Sequence, residues 1–326
     1  MGRPRETGAL FLVGSRLDRP LPAAVTRGAV QGRLAVQNEW HIGVIGGSGL
    51  YSDIGLEDAQ EIAIASPFGE PSGPVTLGRI GAIRFSFIAR HGAGHRLSPS
   101  TVNYRANIDA LKRCGVTDLL AMSAVGSLQE GYAPGSFVAV DQLIDRTMGR
   151  ASTFFDTGLV AHVSLADPVC PRLAELASSA AENAGGKVHR GGCYIAIEGP
   201  QFSTRAESRM YRQWGADVIG MTGMPEARLA REAELPYAML AMVTDYDSWR
   251  ESEAGVEVSD VLAVMQANAA IARRTLRCLA ESLPANRVAV AADRALDGAL
   301  ITAPGAQDAA MWCKLDAVAG RIAARR

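Results

Sequence analysis

The sequence predicts an α/β domain, on three observations. From His41 onward, short β-branched or aliphatic runs alternate with longer stretches at helical spacing. Most of the short runs are apolar throughout, the pattern of strands covered on both faces of a sheet. Several of them end in glycine, hydroxyl or charged residues, where an open α/β sheet gathers its ligands.

His41–Ile45 reads as the first strand, followed by Phe85–Ala89, Leu119–Ser123, Phe137–Val140, Tyr194–Ile197, Val218–Met221 and Met239–Thr244. Helices fall between them. Tyr104–Cys114 ends at Gly115, and Arg205–Trp214 stops at Gly215, each glycine supplying a conformation that closes a helix. Pro171–Ala184 begins with a proline, whose missing N–H is harmless in a first turn, and Gly185-Gly186 follows it. Ser259 is placed to cap a long helix from Asp260 to Leu283, which Pro284 closes. Beyond it, residues 285–326 read as a polar connector and one amphipathic helix over Asp308–Ala324. Residues 1–39 carry six Arg, Glu6, Asp18 and the Pro20/Pro22 pair and read as a disordered extension rather than a targeting segment. The expected division is therefore 1–39 extension, 40–284 domain, and 285–326 packed on that domain.

Composition limits the partners. Of 326 residues, 48% are hydrophobic and 21% charged, enough for a sizeable core. Lys+Arg 33 against Asp+Glu 34 leaves no basic excess to hold a nucleic-acid backbone or an anionic membrane. The sequence holds no run of about 18 apolar residues, the length needed to span a bilayer. The five cysteines are odd in number and scattered, with neither a CxxC pair nor a histidine at metal-ligand spacing, which points to a reducing cytoplasm and no metal site. A small-molecule ligand fits best.

Several strand ends could meet it. Gly46-Gly47-Ser48-Gly49-Leu50 follows the first strand, and its backbone N–H groups and the Ser48 hydroxyl suit an anion, although alone such a stretch is more often just a turn. It is neither a Walker loop nor a GxGxxG dinucleotide fingerprint. Arg90-His91-Gly92 closes the next strand, pairing a planar fork of donors with an imidazole. An isolated pair of this kind would be a surface ion pair. Ser123-Ala124-Val125-Gly126-Ser127 repeats the hydroxyl-and-glycine ending, so three anion-friendly ends reinforce one another.

Further along, Glu198-Gly199-Pro200-Gln201-Phe202-Ser203 offers the flat face of Phe202 to a heteroaromatic base, with a core Phe as the plain alternative. Met221-Thr222-Gly223 repeats the strand-then-hydroxyl ending. Thr244-Asp245-Tyr246-Asp247 places two carboxylates two residues apart, on one side if the segment is extended. Two converging carboxylates raise the pKa of at least one, as a general acid requires. A turn-capping Asp pair is the plain alternative.

In order, the segments HIGVIGGSGLY, SPFGEPS, ARHG, NYRANIDALK, SAVGS, DQLIDRT, IEGPQFSTRAES, GADVIGMTGMPEA and TDYDSW resemble the methylthioadenosine phosphorylase branch of the trimeric purine nucleoside phosphorylases, from His41 to Leu283. The resemblance implies one α/β domain with a central mixed, partly barrel-like sheet flanked by helices. It also implies a homotrimer, which could pair into a hexamer, that cleaves nucleosides with inorganic phosphate as co-substrate and without metal or organic cofactor.

Carried over, Ser48, Arg90, His91, Ser123, Ala124 and Thr222 form the phosphate site. Met221 lies on the ribose, Phe202 on the purine, and Asp245 and Asp247 at the purine edge as the catalytic carboxylates. Val258, Val261 and Leu262 make a hydrophobic 5′ pocket completed by His162 of a neighbouring subunit, with Ser203 and Val258 bearing on specificity. Carboxylates at 245 and 247 suit the 6-amino group of adenine, so methylthioadenosine is the expected substrate. Departures from the animal pattern at Gly220, Gly223 and Met224 keep a methylthioinosine or general 6-oxopurine phosphorylase as the alternative.

Overall fold

A computed structural model of the chain describes residues 39–47, 54–250 and 258–325, without the side chains of residues 258–261 and 263. The extension expected over residues 1–39 lies outside the described residues except for Glu39. Eleven strands among the described residues form one mixed sheet: β1 His41–Gly46, β2 Glu57–Ile62, β3 Val75–Ile80, β4 Ile83–Ala89, β5 Asp118–Ser127, β6 Phe137–Val140, β7 Gln142–Arg146, β8 Val188–Arg190, β9 Cys193–Ile197, β10 Val218–Gly220 and β11 Tyr237–Asp245.

The long strand β5 organises the sheet because it has three neighbours. Its first residues pair in parallel with β1 on one edge, with Ala121 opposite Ile45, and β1 pairs in parallel with β4. The other edge pairs in parallel with β11 over most of its length. Past the end of β1, Gly126 and Ser127 pair antiparallel with β10.

Two bent strands then close a ring. β6 and β7 are separated only by Asp141; β6 pairs with β11 and β7 with β9, which pairs with β10. The circuit β5, β11, β6/β7, β9, β10 and back to β5 is the barrel-like part of the sheet. The companion bend, between β8 and β9, is made by Gly191-Gly192. Gly191 has φ +81, and a Cβ there would lie 2.9 Å from the Asp141 carboxylate, so glycine is required where the two bends nest.

Among the described residues seven α-helices flank the sheet: α1 Tyr104–Arg113, α2 Pro171–Asn183, α3 Arg205–Gln213, α4 Gly223–Glu232, α5 Val258–Ser282, α6 Ala309–Lys314 and α7 Gly320–Ala323. The alternation of β11 divides the core between two faces. Tyr237, Met239, Ala241 and Val243 pack with α1 and α4, whereas Ala238, Leu240 and Met242 pack with α2 and α5. Helix starts carry local signals: the Asn103 side chain accepts from Ala106 N–H, Pro171 opens α2, and Thr204 and Glu207 form a reciprocal capping box on α3.

The single C-terminal helix expected over Asp308–Ala324 is instead the two short helices α6 and α7. Asp316 breaks it: its carboxylate accepts from Ala317 N–H at 2.8 Å and pairs with Arg113, offering the backbone a local alternative to the helix. The segment packs onto the same body through buried Leu315 and Val318 and through Arg321, which pairs with Glu234.

Candidate active site

Parallel pairing brings the carboxyl ends of β1, β4 and β5 side by side, with Gly46 opposite Ala89. Arg90 follows β4 directly, and its guanidinium is buried at 2% exposure. Nε and Nη2 donate to the two oxygens of Glu226 at 2.9 and 3.0 Å, Nη1 donates to Met122 O at 3.1 Å, and Nη2 also donates to Ile45 O at 3.2 Å. An arginine has five N–H donors, so one on Nη1 remains. Burial works against the guanidinium charge, but Glu226 outweighs it and holds Arg90 firmly protonated. The pair is nonetheless neutral overall, so an anion here meets hydrogen-bond donors rather than a net positive charge.

Two hydroxyls stand beside it. Ser123 Oγ on β5 and Thr222 Oγ1, just ahead of α4, lie 3.2 Å apart and are both buried, and Met122 ties this end of β5 to Arg90 through its carbonyl. The amides of Thr222 and Gly223 both donate to Tyr194 Oη, at 3.1 and 3.3 Å. Ala124 is the next residue of β5. His91 Nδ1–H donates to Leu97 O at 2.9 Å, and its ring stacks on His95 with centroids 4.2 Å apart. Burial, reinforced by Arg90, lowers its pKa to about 4, so at neutral pH the ring is uncharged and Nε2 is an acceptor. Ser48 lies outside the described residues.

The carboxylates sit at the end of β11. Asp245 Oδ2 accepts from Thr244 Oγ1 at 2.7 Å, and Oδ1 accepts from Asp247 N–H at 2.8 Å. Asp247 has φ +47, so the two are not aligned by an extended strand; an Asp-centred turn folds the second back on the first. Asp247 Oδ2 is buried with no hydrogen-bond partner, and so is Ser203 Oγ. Burial raises the pKa of Asp245 against those two hydrogen bonds. Burial also pushes Asp247 up to about 6; the Ser208 hydroxyl and Ser248 N–H oppose the shift, and the Asp245 charge adds to it. Gly126 is paired with both Asp245 and Ile219, leaving room for the Asp245 carboxylate only because it has no side chain.

Met221 touches the loop after β9, since a Cβ on Gly199 would collide with its sulfur. Phe202 in that loop is 43% exposed. A Cβ on Gly220 or Gly223 would strike the buried Tyr194 ring, and Met224 is in the core. Gly220 and Gly223 thus leave room for Tyr194, and Met224 serves core packing. Val258 and Val261 lie on α5 with side chains outside the described set. Leu262 is 49% exposed on the same helix. His162 is exposed, with its backbone N–H on Ala299 O at 2.9 Å. The His162 ring makes no hydrogen bond to the carboxylate or hydroxyl cluster.

Sequence reading gave Glu226 no part in this site, and it named Gly126 and Thr244 within the strand-end motifs without their contacts to Asp245. Glu226 carried one signal, an acidic residue among the apolar positions of the stretch Met224–Ala230.

The chain is similar to known proteins over most of its length. The phosphorylase superfamily profile matches residues 41–280. An S-methyl-5′-thioadenosine phosphorylase from Cereibacter sphaeroides is 54% identical over 283 residues, 86% of this chain and 98% of that one. One of the same name from Thermofilum pendens is 53% identical, over 80% of this chain and 98% of its own. Among solved structures, a methylthioadenosine phosphorylase from an antarctic soil metagenomic library superposes with a TM-score of 0.79 at 46% identity, over 86% of this chain and 99% of that one. A variant adenosine/methylthioadenosine phosphorylase from Schistosoma mansoni, in complex with methylthioadenosine, gives 0.68 at 36% identity, over 74% and 91%. No helix among the described residues is long and apolar enough to cross a membrane.

Proposed function

The chain belongs to the phosphorylase superfamily, and on that footing we propose that it splits S-methyl-5′-thioadenosine with inorganic phosphate, giving adenine and 5-methylthioribose 1-phosphate. The observation that carries this reading is the pairing of two chemically distinct ends. Arg90 and the Ser123/Thr222 hydroxyls suit an oxyanion, whereas Asp247 Oδ2 and Ser203 Oγ are buried with no hydrogen-bond partner in the protein.

In the reaction the C1′–N9 bond breaks and its electron pair moves into the purine, leaving an oxocarbenium-like sugar. Asp245, whose burial favours the protonated form, gives its proton to N7 and stabilises the leaving base. A phosphate oxygen forms the new bond to C1′ from the opposite face. Ser48, Arg90, His91, Ser123, Ala124 and Thr222 fix that oxygen, chiefly by positioning. Neutral His91 can accept from the P–OH of hydrogen phosphate. Asp247 accepts from the 6-amino group of adenine and Ser203 supports the base edge, while Phe202 lies on the purine and Met221 on the ribose. A hydroxyl in place of methylthio would lose its partners in an apolar pocket of Val258, Val261 and Leu262, completed by His162 of a neighbouring subunit in a homotrimer. The exposure of His162 on the single chain is consistent with that role. Neither metal nor organic cofactor takes part, and the five free cysteines support a cytoplasmic setting.

Phosphorus NMR of the protein with methylthioadenosine and phosphate tests the reading. A new sugar-phosphate resonance should grow in step with free adenine. Adenine release without that resonance would make the enzyme a hydrolase.

A further inference from the structure

Arg150 lies in the loop after β7 and was not among the expected site residues, yet its guanidinium joins the segments that carry them. Its side chain is 3% exposed. Nη1 donates to Met221 O at 2.6 Å, Met224 O at 3.1 Å and Tyr104 Oη at 3.1 Å; Nη2 donates to Glu198 O at 2.7 Å, and Nε to Glu198 Oε1 at 3.3 Å. The Glu198 carboxylate in turn accepts from Met148 N–H at 2.7 Å and from Ser100 Oγ. One side chain thus links the start of the Glu198–Ser203 loop, the Met221–Met224 turn, the start of α1 and its own loop.

The acceptors explain the residue type. Three of them are backbone carbonyls: Glu198 O and Met221 O lie outside the strands and helices, and Met224 O lies where the backbone of α4 departs from helix, so a side-chain donor serves them. Their bonds leave from both Nη atoms and the bond to the Glu198 carboxylate from Nε, so the separated nitrogens of a guanidinium can reach them all. The three donors of a lysine radiate from a single nitrogen and cannot. Phe202 and Ser203 stand on one of the tied segments, and Met221 and Thr222 on another. The gap between those segments is already at contact, because Gly199 has φ +66 and no room for a side chain against Met221.

We propose that Arg150 is a positioning residue for phosphorolysis, setting the base-facing loop at Phe202–Ser203 against the ribose- and phosphate-facing turn at Met221–Thr222. The proposal rests on the phosphorolysis reading above. Arg150 touches neither reactant; it acts by fixing the carbonyls from which both walls hang, and errors of about 1 Å in such walls cost about a hundredfold in rate.

The test compares wild type, Arg150→Lys and Arg150→Ala for adenine release from methylthioadenosine, with phosphate and nucleoside varied in turn and thermal midpoints measured alongside. Phosphate-dependent turnover by wild type checks the reaction itself; its absence overturns that reading whatever the variants do. With wild type active, Arg150→Lys should lose about a hundredfold in kcat/KM for nucleoside, with kcat falling and the phosphate KM rising too. Millimolar methylguanidinium should restore activity to Arg150→Ala while leaving wild type unchanged, which a general loss of stability would not produce. If Arg150→Lys does not fold, Glu198→Gln takes its place and should show the same joint fall in kcat and rise in phosphate KM. Arg150→Lys, or Glu198→Gln in its stead, with wild-type kcat and both KM values, or an Arg150→Ala that regains stability but no activity with methylguanidinium, would overturn the proposal.

Discussion

Replacing Gly126 by alanine is a one-carbon perturbation of the proposed acid. The added Cβ would lie 2.9 Å from Asp245 Oδ1, 3.1 Å from Ile219 Cγ2 and 3.2 Å from Asp247 Cβ, where ordinary contacts begin at 3.4 Å. Asp245 cannot simply swing away, because Thr244 Oγ1 and Asp247 N–H hold its two oxygens at 2.7 and 2.8 Å. Restoring ordinary contact requires the carboxylate to move by about 0.5 Å, half of the 1 Å displacement that costs about a hundredfold, so kcat should fall about tenfold. Overpacking adds about 1–3 kcal/mol of destabilisation. The phosphate KM should hardly change, since Ser123 and Thr222 make their contact elsewhere on β5 and ahead of α4. Initial rates at saturating phosphate, with a thermal melt on the same preparation, read all three quantities. A folded Gly126→Ala protein with wild-type kcat would refute the idea that this glycine is present to seat Asp245.

The other substitutions address buried charge. Asp247 has its pKa raised in the fold from 3.8 to about 6, so its neutral form is favoured and that contribution is lost as pH rises through about 6. Asp247→Asn should therefore gain up to about 3 kcal/mol of stability over wild type between about pH 4 and about pH 7; a difference that does not change with pH would contradict the assignment. Glu226→Ala leaves Arg90 charged, buried and unpaired, and should cost about 3–5 kcal/mol, visible as a lower thermal midpoint. An unchanged midpoint would mean that Arg90 finds another partner or water.

Much of this arrangement was legible from sequence because buried strands announce themselves as apolar runs. All seven expected strands are present, with ends shifted by a few residues. β2, with the sequence EDAQEI, was invisible because it lies at the exposed edge of the sheet and pairs only with β3, so nothing selects apolar residues there. α4 was missed because Thr222-Gly223-Met224-Pro225 looks like a turn, and its backbone does depart from helix at Met224. The strand-end motifs were readable individually, but the Arg90–Glu226 pair spans 136 positions and only the fold brings it together. The two aspartates were paired for the wrong reason: alternation along a strand was expected, and a turn with positive φ at Asp247 does the work instead. Arg150 left no trace in sequence, because its partners are mostly backbone carbonyls, which every residue type carries.

The most direct test of the proposed activity is release of free base from methylthioadenosine, methylthioinosine, adenosine and inosine in parallel, each with and without phosphate. Adenine should appear fastest from methylthioadenosine and only when phosphate is present. Faster release of hypoxanthine from methylthioinosine would leave the fold and the oxyanion site standing but contradict the roles given to Asp245 and Asp247, and release that ignores phosphate would contradict phosphorolysis altogether.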